Sequence, residues 1–130
     1  MRVSVVIPTR NRADLLARAI AGVAAQDHAD VELIVVDDSD SGDEIARNAQ
    51  AVQAVPDARH VLLRPSGTDG SGPAQVRNAG ISAARGALVA FCDDDDHWVA
   101  PDFLSTAVAA FAADVRLDLL FANQSAMAGG

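Results

Sequence analysis

VSVVIPTRNRADLLARAIAGVA, residues 3–24, carries two hydrophobic periods one after the other. Val3-Ser4-Val5-Val6-Ile7 is a nearly unbroken β-branched run halted by Pro8, the pattern of a strand buried on both faces. The period then changes. Leu15, Leu16, Ala19, Ile20, Val23 and Ala24 recur at helical spacing. Asn11 stands where it would cap that helix, with Asp14 three residues on in a variant of the capping box. A buried strand feeding an amphipathic helix is the repeating unit of a parallel sheet.

The alternation continues outward from this unit. A strand is expected over 31–36, then a helix over 43–52 with Ile45, Ala49 and Val52 on one side, then a short strand over 60–63. Residues 64–72 hold three glycines among Ser, Thr, Asp and Pro, too many breakers for regular structure, and read as a loop. Pro73 suits the first turn of a helix that runs to Arg85 and stops at Gly86. A strand over 87–92, a helix over 101–113 and a strand over 118–122 follow, and residues 126–130 read as a frayed end. The fold class is therefore α/β, with a mostly parallel sheet covered by helices on both faces. With no internal repeat or linker, residues 1–130 read as a single domain.

Composition narrows the chemistry. At 130 residues the chain buries about two-thirds of its unfolded surface, so it needs no crosslink or structural metal merely to fold. Ten Arg against eighteen acidic residues give a net charge of -8, which argues against a nucleic-acid partner and leaves an anionic ligand in need of local help, such as a cation. Lys is absent, which excludes a phosphate-loop lysine, a Schiff base and the lysine of a phospho-receiver domain. The single cysteine, Cys92, excludes an internal disulfide and a cysteine-built zinc site, and suits a reducing, cytoplasmic compartment. No signal-peptide pattern follows Met1, and the uncharged stretch 86–92 falls far short of the ~20 apolar residues of a membrane span, so no transmembrane segment is expected.

Ligands of an open parallel sheet bind at the carboxyl ends of its strands. Three ends are unusual here: Thr9-Arg10-Asn11, Asp37-Asp38-Ser39-Asp40 and Asp93-Asp94-Asp95-Asp96. Right-handed crossovers bring all three to one edge. Two carboxylates 4 Å apart repel by about 4 kcal/mol at an effective dielectric of 20, so four in a row require either bulk water or a cation. A solvated turn is the plain reading, but Ala90-Phe91-Cys92 and His97-Trp98-Val99 grip the run on both sides with apolar residues. Carboxylate ligands without cysteine favour Mg²⁺ or Mn²⁺.

The other ends are less decided. Asp37 and Asp38 either cap the next helix or accept hydrogen bonds from a base or ribose, and spacing does not choose. Asp40 lies beyond the strand end on a polar turn. For Thr9, Arg10 and Asn11 alone, a helix start with one solvated Arg is the simpler reading, although such a start also favours an anion. Arg77, one turn into the helix after the glycine-rich loop, suits a surface ion pair or a phosphate neighbour. His97 and Trp98 read as packing residues at the strand's exit, while His28 and His60 show no partner and receive no function.

Four blocks together resemble the family 2 glycosyltransferases of GT-A fold. They are Val3 to Arg12, then Glu32-Leu33-Ile34-Val35-Val36-Asp37-Asp38-Ser39, then Val76-Arg77-Asn78-Ala79-Gly80 with Ala84-Arg85-Gly86, then Phe91 to Trp98 with its DxD pattern. The resemblance implies a nucleotide-diphosphate sugar as donor, Mn²⁺ or Mg²⁺ as cofactor and an inverting displacement onto an unknown acceptor. It implies that Thr9 and Arg10 line the nucleotide pocket, that Asp37 or Asp38 contacts the base and that Arg77 lies near the diphosphate. Asp93 becomes the ribose-side carboxylate and Asp95 the metal ligand, with Asp96 as its substitute. Cys92 stands where such proteins usually carry an aliphatic residue.

Family members are much longer than this chain and carry their catalytic base, an Asp or Glu, in the second half. None of the acidic residues here is left over for that role. The expectation is a donor-binding part that ends before the acceptor region, with an exposed apolar face that favours self-association. A non-catalytic module that binds a nucleotide and a divalent ion is the alternative. A dinucleotide oxidoreductase lacks its glycine fingerprint after the first strand.

Overall fold

The strand that opens the chain lies inside the sheet. The computed structural model describes residues 1–63, 71–114 and 116–118. Its elements are β1 (Val3–Thr9), α1 (Ala13–Ala24), β2 (Val31–Asp37), α2 (Gly42–Gln53), β3 (Ala58–Leu62), α3 (Pro73–Ala83), β4 (Leu88–Phe91) and α4 (Phe103–Ala113). The described strands form one parallel sheet in the order β3-β2-β1-β4. Val5 of β1 stands opposite Leu33 of β2 and Ala90 of β4. Burial on both faces is why β1 and β2 show apolar runs rather than alternation.

Alternation survives as a division between two cores. Val3, Val5, Ile7, Leu33 and Val35 pack with Leu16, Ala19, Ile20 and Val23 of α1, Val52 of α2 and Leu104 of α4. Val6, Ile34 and Val36 face the other way, onto Val76 of α3. Each buried Val, Leu or Ile contributes about 1.5–3 kcal/mol by leaving water, so these two layers dominate stability. On the α3 side the approach is so close that a Cβ at Gly80 would overlap the Val6 side chain.

At the amino end of the strands, Glu32 is buried. Its carboxylate accepts from Ser4 Oγ at 2.5 Å, Arg85 N at 2.6 Å and Arg59 Nη2 at 2.8 Å. Burial opposes its ionisation, but these donors and the Arg59 charge prevail and hold the carboxyl down at about 2.

Several element boundaries differ from expectation. Asn11 does not cap α1; it takes a left-handed backbone (φ 53°) and its side chain turns to Asp40 and to Ser41 N. The N-cap position falls on Arg12, without a side-chain cap, and Glu44 Oε2 of α2 accepts from Ala13 N at 2.9 Å instead. A tertiary partner thus replaces the local cap. β3 begins at Ala58 rather than 60, and α4 begins only at Phe103, after Pro101 and Asp102 have formed a turn. The loop expected over 64–72 is described only from Ser71. The strand expected over 118–122, apart from Asp118, and the end at 126–130 lie outside the described residues. No described helix is long and apolar enough to cross a membrane.

Candidate functional site

The two-residue period of β2 separates its two terminal aspartates. Leu33, Val35 and Asp37 face the α1 and α2 layer, so Asp38 faces the α3 side. Asp37 is fully buried. Its Oδ1 accepts from Ser39 N at 3.0 Å, while Oδ2 accepts from Asn48 Nδ2 at 3.0 Å and lies 2.8 Å from His60 Nε2. Burial penalises the charge, but the hydrogen bonds from Ser39, Asn48 and His60 together hold the carboxyl below its ordinary value.

Asp38 lines a cleft of about 420 Å³ at the carboxyl edge of the sheet, together with Thr9, Arg10, Arg12, Arg77 and the acidic run at Asp93, Asp94 and Asp95. Its backbone N donates to Thr9 O at 2.9 Å, and its carbonyl accepts from Arg10 Nη1 at 2.6 Å. Oδ2 accepts from Ser71 N at 2.9 Å. Oδ1 is buried and has no donor among the described residues. Leaving such an acceptor unmet costs about 1–3 kcal/mol.

The four aspartates of the acidic run divide into one and three. Asp94 turns inward: Oδ2 accepts from Thr9 Oγ1 at 2.9 Å and Oδ1 from Arg12 Nη1 at 3.3 Å. Burial raises its pKa, and the Thr9 bond and Arg12 charge only partly offset this. Asp93, Asp95 and Asp96 are exposed, and each offers one carboxylate oxygen, all within 4.8 Å of one another. A turn closed by Asp96 N on Asp93 O at 3.0 Å brings them together. Burial, then the charges of Asp93 and Asp95, raise the Asp96 pKa. Three hard oxygens without thiolate fit Mg²⁺ or Mn²⁺ and disfavour zinc.

Cations border this group. Arg77 Nη2 lies 3.6 Å from Asp93, and Arg12 Nη1 lies 3.8 Å from Asp95. Gly72 (φ 88°) and Pro73 start α3 against the same cleft, so the positive end of a helix and Arg77 lie between Asp38 and the acidic run. Beyond the run, the Trp98 carbonyl would lie 3.0 Å from a Cβ at Gly22, so the absent side chain gives that segment its seat on α1. The Trp98 ring packs on Phe103, centroids 4.9 Å apart. Burial, followed by the charges of the acidic run, pushes the Cys92 thiol up to about 12, which leaves it a packing residue.

Thr9, Arg10, Asp38, Arg77, Asp93 and Asp95 therefore share one cleft, whereas Asp37 stands behind its wall and Asp96 beside Asp93 and Asp95. Arg12 and Asp94 are lining residues that the sequence reading passed over. Their signal was place: one starts the first helix, the other follows a buried cysteine. Two expectations need correction. His60 has a partner in Asp37, and His28 Nε2 lies 2.7 Å from Met1 O. Both are contacts across long sequence separations, invisible to spacing. Asp40, expected on a polar turn beyond the strand end, accepts from Arg10 Nη2 at 3.2 Å and Asn11 Nδ2 at 2.8 Å.

Known proteins resemble this chain in sequence and in fold. The chain is 36% identical over 121 residues to the putative colanic acid biosynthesis glycosyl transferase WcaA of Escherichia coli, covering 93% of this chain and 42% of that protein. The solved mannosyltransferase PcManGT from Pyrobaculum calidifontis, in complex with GDP-Man and Mn²⁺, superposes with TM-score 0.73 at 28% identity, over 85% of this chain and 32% of that one. S. aureus TarS 1-349, in complex with UDP-GlcNAc, superposes with TM-score 0.74 at 28% identity, over 87% and 32%. The chain spans less than half the length of the curated relatives it matches. Residues 4–121 match the model of Glycosyl transferase family 2, and with its parallel sheet and the fold of those solved enzymes, the chain belongs to that family.

Proposed function

We propose that the cleft binds a nucleotide-diphosphate sugar and that the chain is the donor-binding part of an inverting glycosyltransferase. One observation carries this reading: Asp38 Oδ1, a buried acceptor without a donor among the described residues, and a trio of exposed carboxylates share one cleft with Arg77 and a helix start. Asp38 receives the base, and Thr9 and Arg10 shape the nucleotide pocket. Asp37 acts from behind. Arg77 and the α3 amides favour the diphosphate. Asp93 serves the ribose side, and Asp95 with Asp96 holds Mn²⁺ or Mg²⁺. When bound, the cation supplies charge neutralisation for the departing diphosphate.

Sugar transfer with inversion also needs a base for the acceptor hydroxyl. Every described carboxylate of the cleft is committed to donor, metal or Thr9 and Arg12, so none is assigned that role. The same fact favours, as a second reading, a module that binds donor and cation without transfer. A single, buried cysteine is the feature that suits a reducing, cytoplasmic location.

Titration calorimetry with UDP and GDP tests the proposal. At least one of them binds measurably in Mn²⁺ or Mg²⁺ and not in EDTA. Equal affinity with and without cation contradicts the metal role. Sugar release or transfer from the cognate donor by the full-length protein separates the enzyme from the binding module.

A further inference from the structure

We infer that His60 is a positioning residue for the donor site, acting through Asp37 on the direction of the Asp38 carboxylate. The inference rests on the reading in which Asp38 receives the nucleotide base.

His60 belongs to β3, an edge strand of the described sheet that supplies no lining residue to the cleft. Its imidazole is mostly buried and reaches Asp37 Oδ2 over 2.8 Å. Asp37 is the hub of a cluster fed from three places: His60 from β3, Asn48 from α2 and Ser39 N from the turn that follows Asp38. Ser39 in turn accepts from Asn11 N through its Oγ at 2.8 Å, which ties the turn to the end of β1. Asp38 lies between Asp37 and Ser39, so its backbone direction is fixed by this cluster on one side and by Thr9 O on the other.

A fully buried carboxylate tolerates the loss of a donor poorly, because its charge remains while its compensation falls. Asn48 is committed to a helix and the strand backbone is held by its ladder. Ser39 N donates to the same carboxylate, so the turn is the neighbour through which a change at Asp37 reaches Asp38. Removal of the imidazole donor therefore lets Asp37 rotate and the turn shift, and Asp38 Oδ1 leaves the place where a base N–H would meet it. Among the described residues, the acidic run and Arg77 make no hydrogen bond or ion pair with His60, Asp37, Asn48 or Ser39; their side-chain partners are Thr9, Arg12 and one another.

That separation supplies the test. His60→Leu keeps volume and removes the donor, whereas His60→Gln keeps an amide N–H near the place of Nε2. The probes are UDP and GDP, and inorganic diphosphate, each with Mn²⁺ by calorimetry, together with amide hydrogen exchange at Ser39 in protein without ligand. His60→Leu is expected to weaken nucleotide binding about tenfold, as loss of a hydrogen bond to a charged group does. It leaves diphosphate binding within twofold and speeds Ser39 exchange about tenfold, and His60→Gln restores both. If His60→Leu does not fold, His60→Asn, whose amide is too short to reach, replaces it with the same expectations. Parallel loss of nucleotide and diphosphate affinity, or no change in either affinity or exchange, overturns the positioning role. A parent protein that binds diphosphate but no nucleotide refutes the donor-site reading instead, and Ser39 exchange then decides for or against His60.

Discussion

Thr9 Oγ1 donates to Asp94 Oδ2 over 2.9 Å and so joins the end of the first strand to a residue 85 positions later. This contact makes the acidic run part of the sheet edge. With Asp94 drawn inward, Asp93, Asp95 and Asp96 are left outward as a group. Four consecutive aspartates look interchangeable in sequence; a single hydroxyl and Arg12 make them unequal.

Thr9→Val removes that hydroxyl at nearly constant volume. Of its described partners Asp94 then keeps Arg12, and the variant is expected to lose about 1–3 kcal/mol in urea denaturation, the usual effect of stranding a buried polar group. Cation-dependent nucleotide affinity falls with it, while Thr9→Ser retains most of both. Unchanged stability and affinity in Thr9→Val would show that the run needs no anchor.

Asp95→Asn is expected to lower nucleotide affinity in Mn²⁺ to its value in EDTA. Asp40→Ala, which removes one ion pair from Arg10, leaves the ratio between the two conditions intact. Calorimetry of both variants in both conditions checks the contrast. A lost cation response in Asp40→Ala would place the metal elsewhere.

Glu32 gives a pH prediction independent of the cleft. Its folded value is lowered from 4.5 to about 2, so the stabilisation is complete above the unfolded value and disappears as pH falls from 4.5 through 2. The shift corresponds to roughly 3 kcal/mol. Glu32→Gln should be less stable than the parent at neutral pH, and the gap should narrow across this window in melting experiments. A constant gap would mean that charge contributes nothing there.

Gly80→Ala opposes two effects. Alanine is favoured over glycine within a helix by about 1 kcal/mol. Its Cβ meets the Val6 side chain and lies 3.3 Å from Val36 Cγ2, and such overpacking costs about 1–3 kcal/mol. Net destabilisation is expected, partly relieved by a second change, Val6→Ala. A gain in melting temperature would show that α3 does not press on the sheet as described.

The parallel sheet was legible because β1 and β2 are buried on both faces and say so in unbroken aliphatic runs. Its carboxyl edge was legible for the same reason: topology alone delivers Thr9, Asp38 and Asp93 to one end. What escaped were contacts made across the fold. Asn11 has the composition of a cap, yet Asp40 offers its side chain a better partner and Glu44 meets Ala13 N in its place. His60 carries no local sign of Asp37, since the two meet only through β2 and β3 pairing. Asp37 and Asp38 could be told apart only once the helical layers on each face of β2 were known.

The claim that the acidic run holds one cation beside a nucleotide whose base meets Asp38 is tested most directly by crystals grown with UDP or GDP and Mn²⁺. Anomalous scattering should place the ion on the carboxylates of Asp95 and Asp96, with the base against Asp38. An ion bound away from the acidic run, or a base remote from Asp38, would contradict the account.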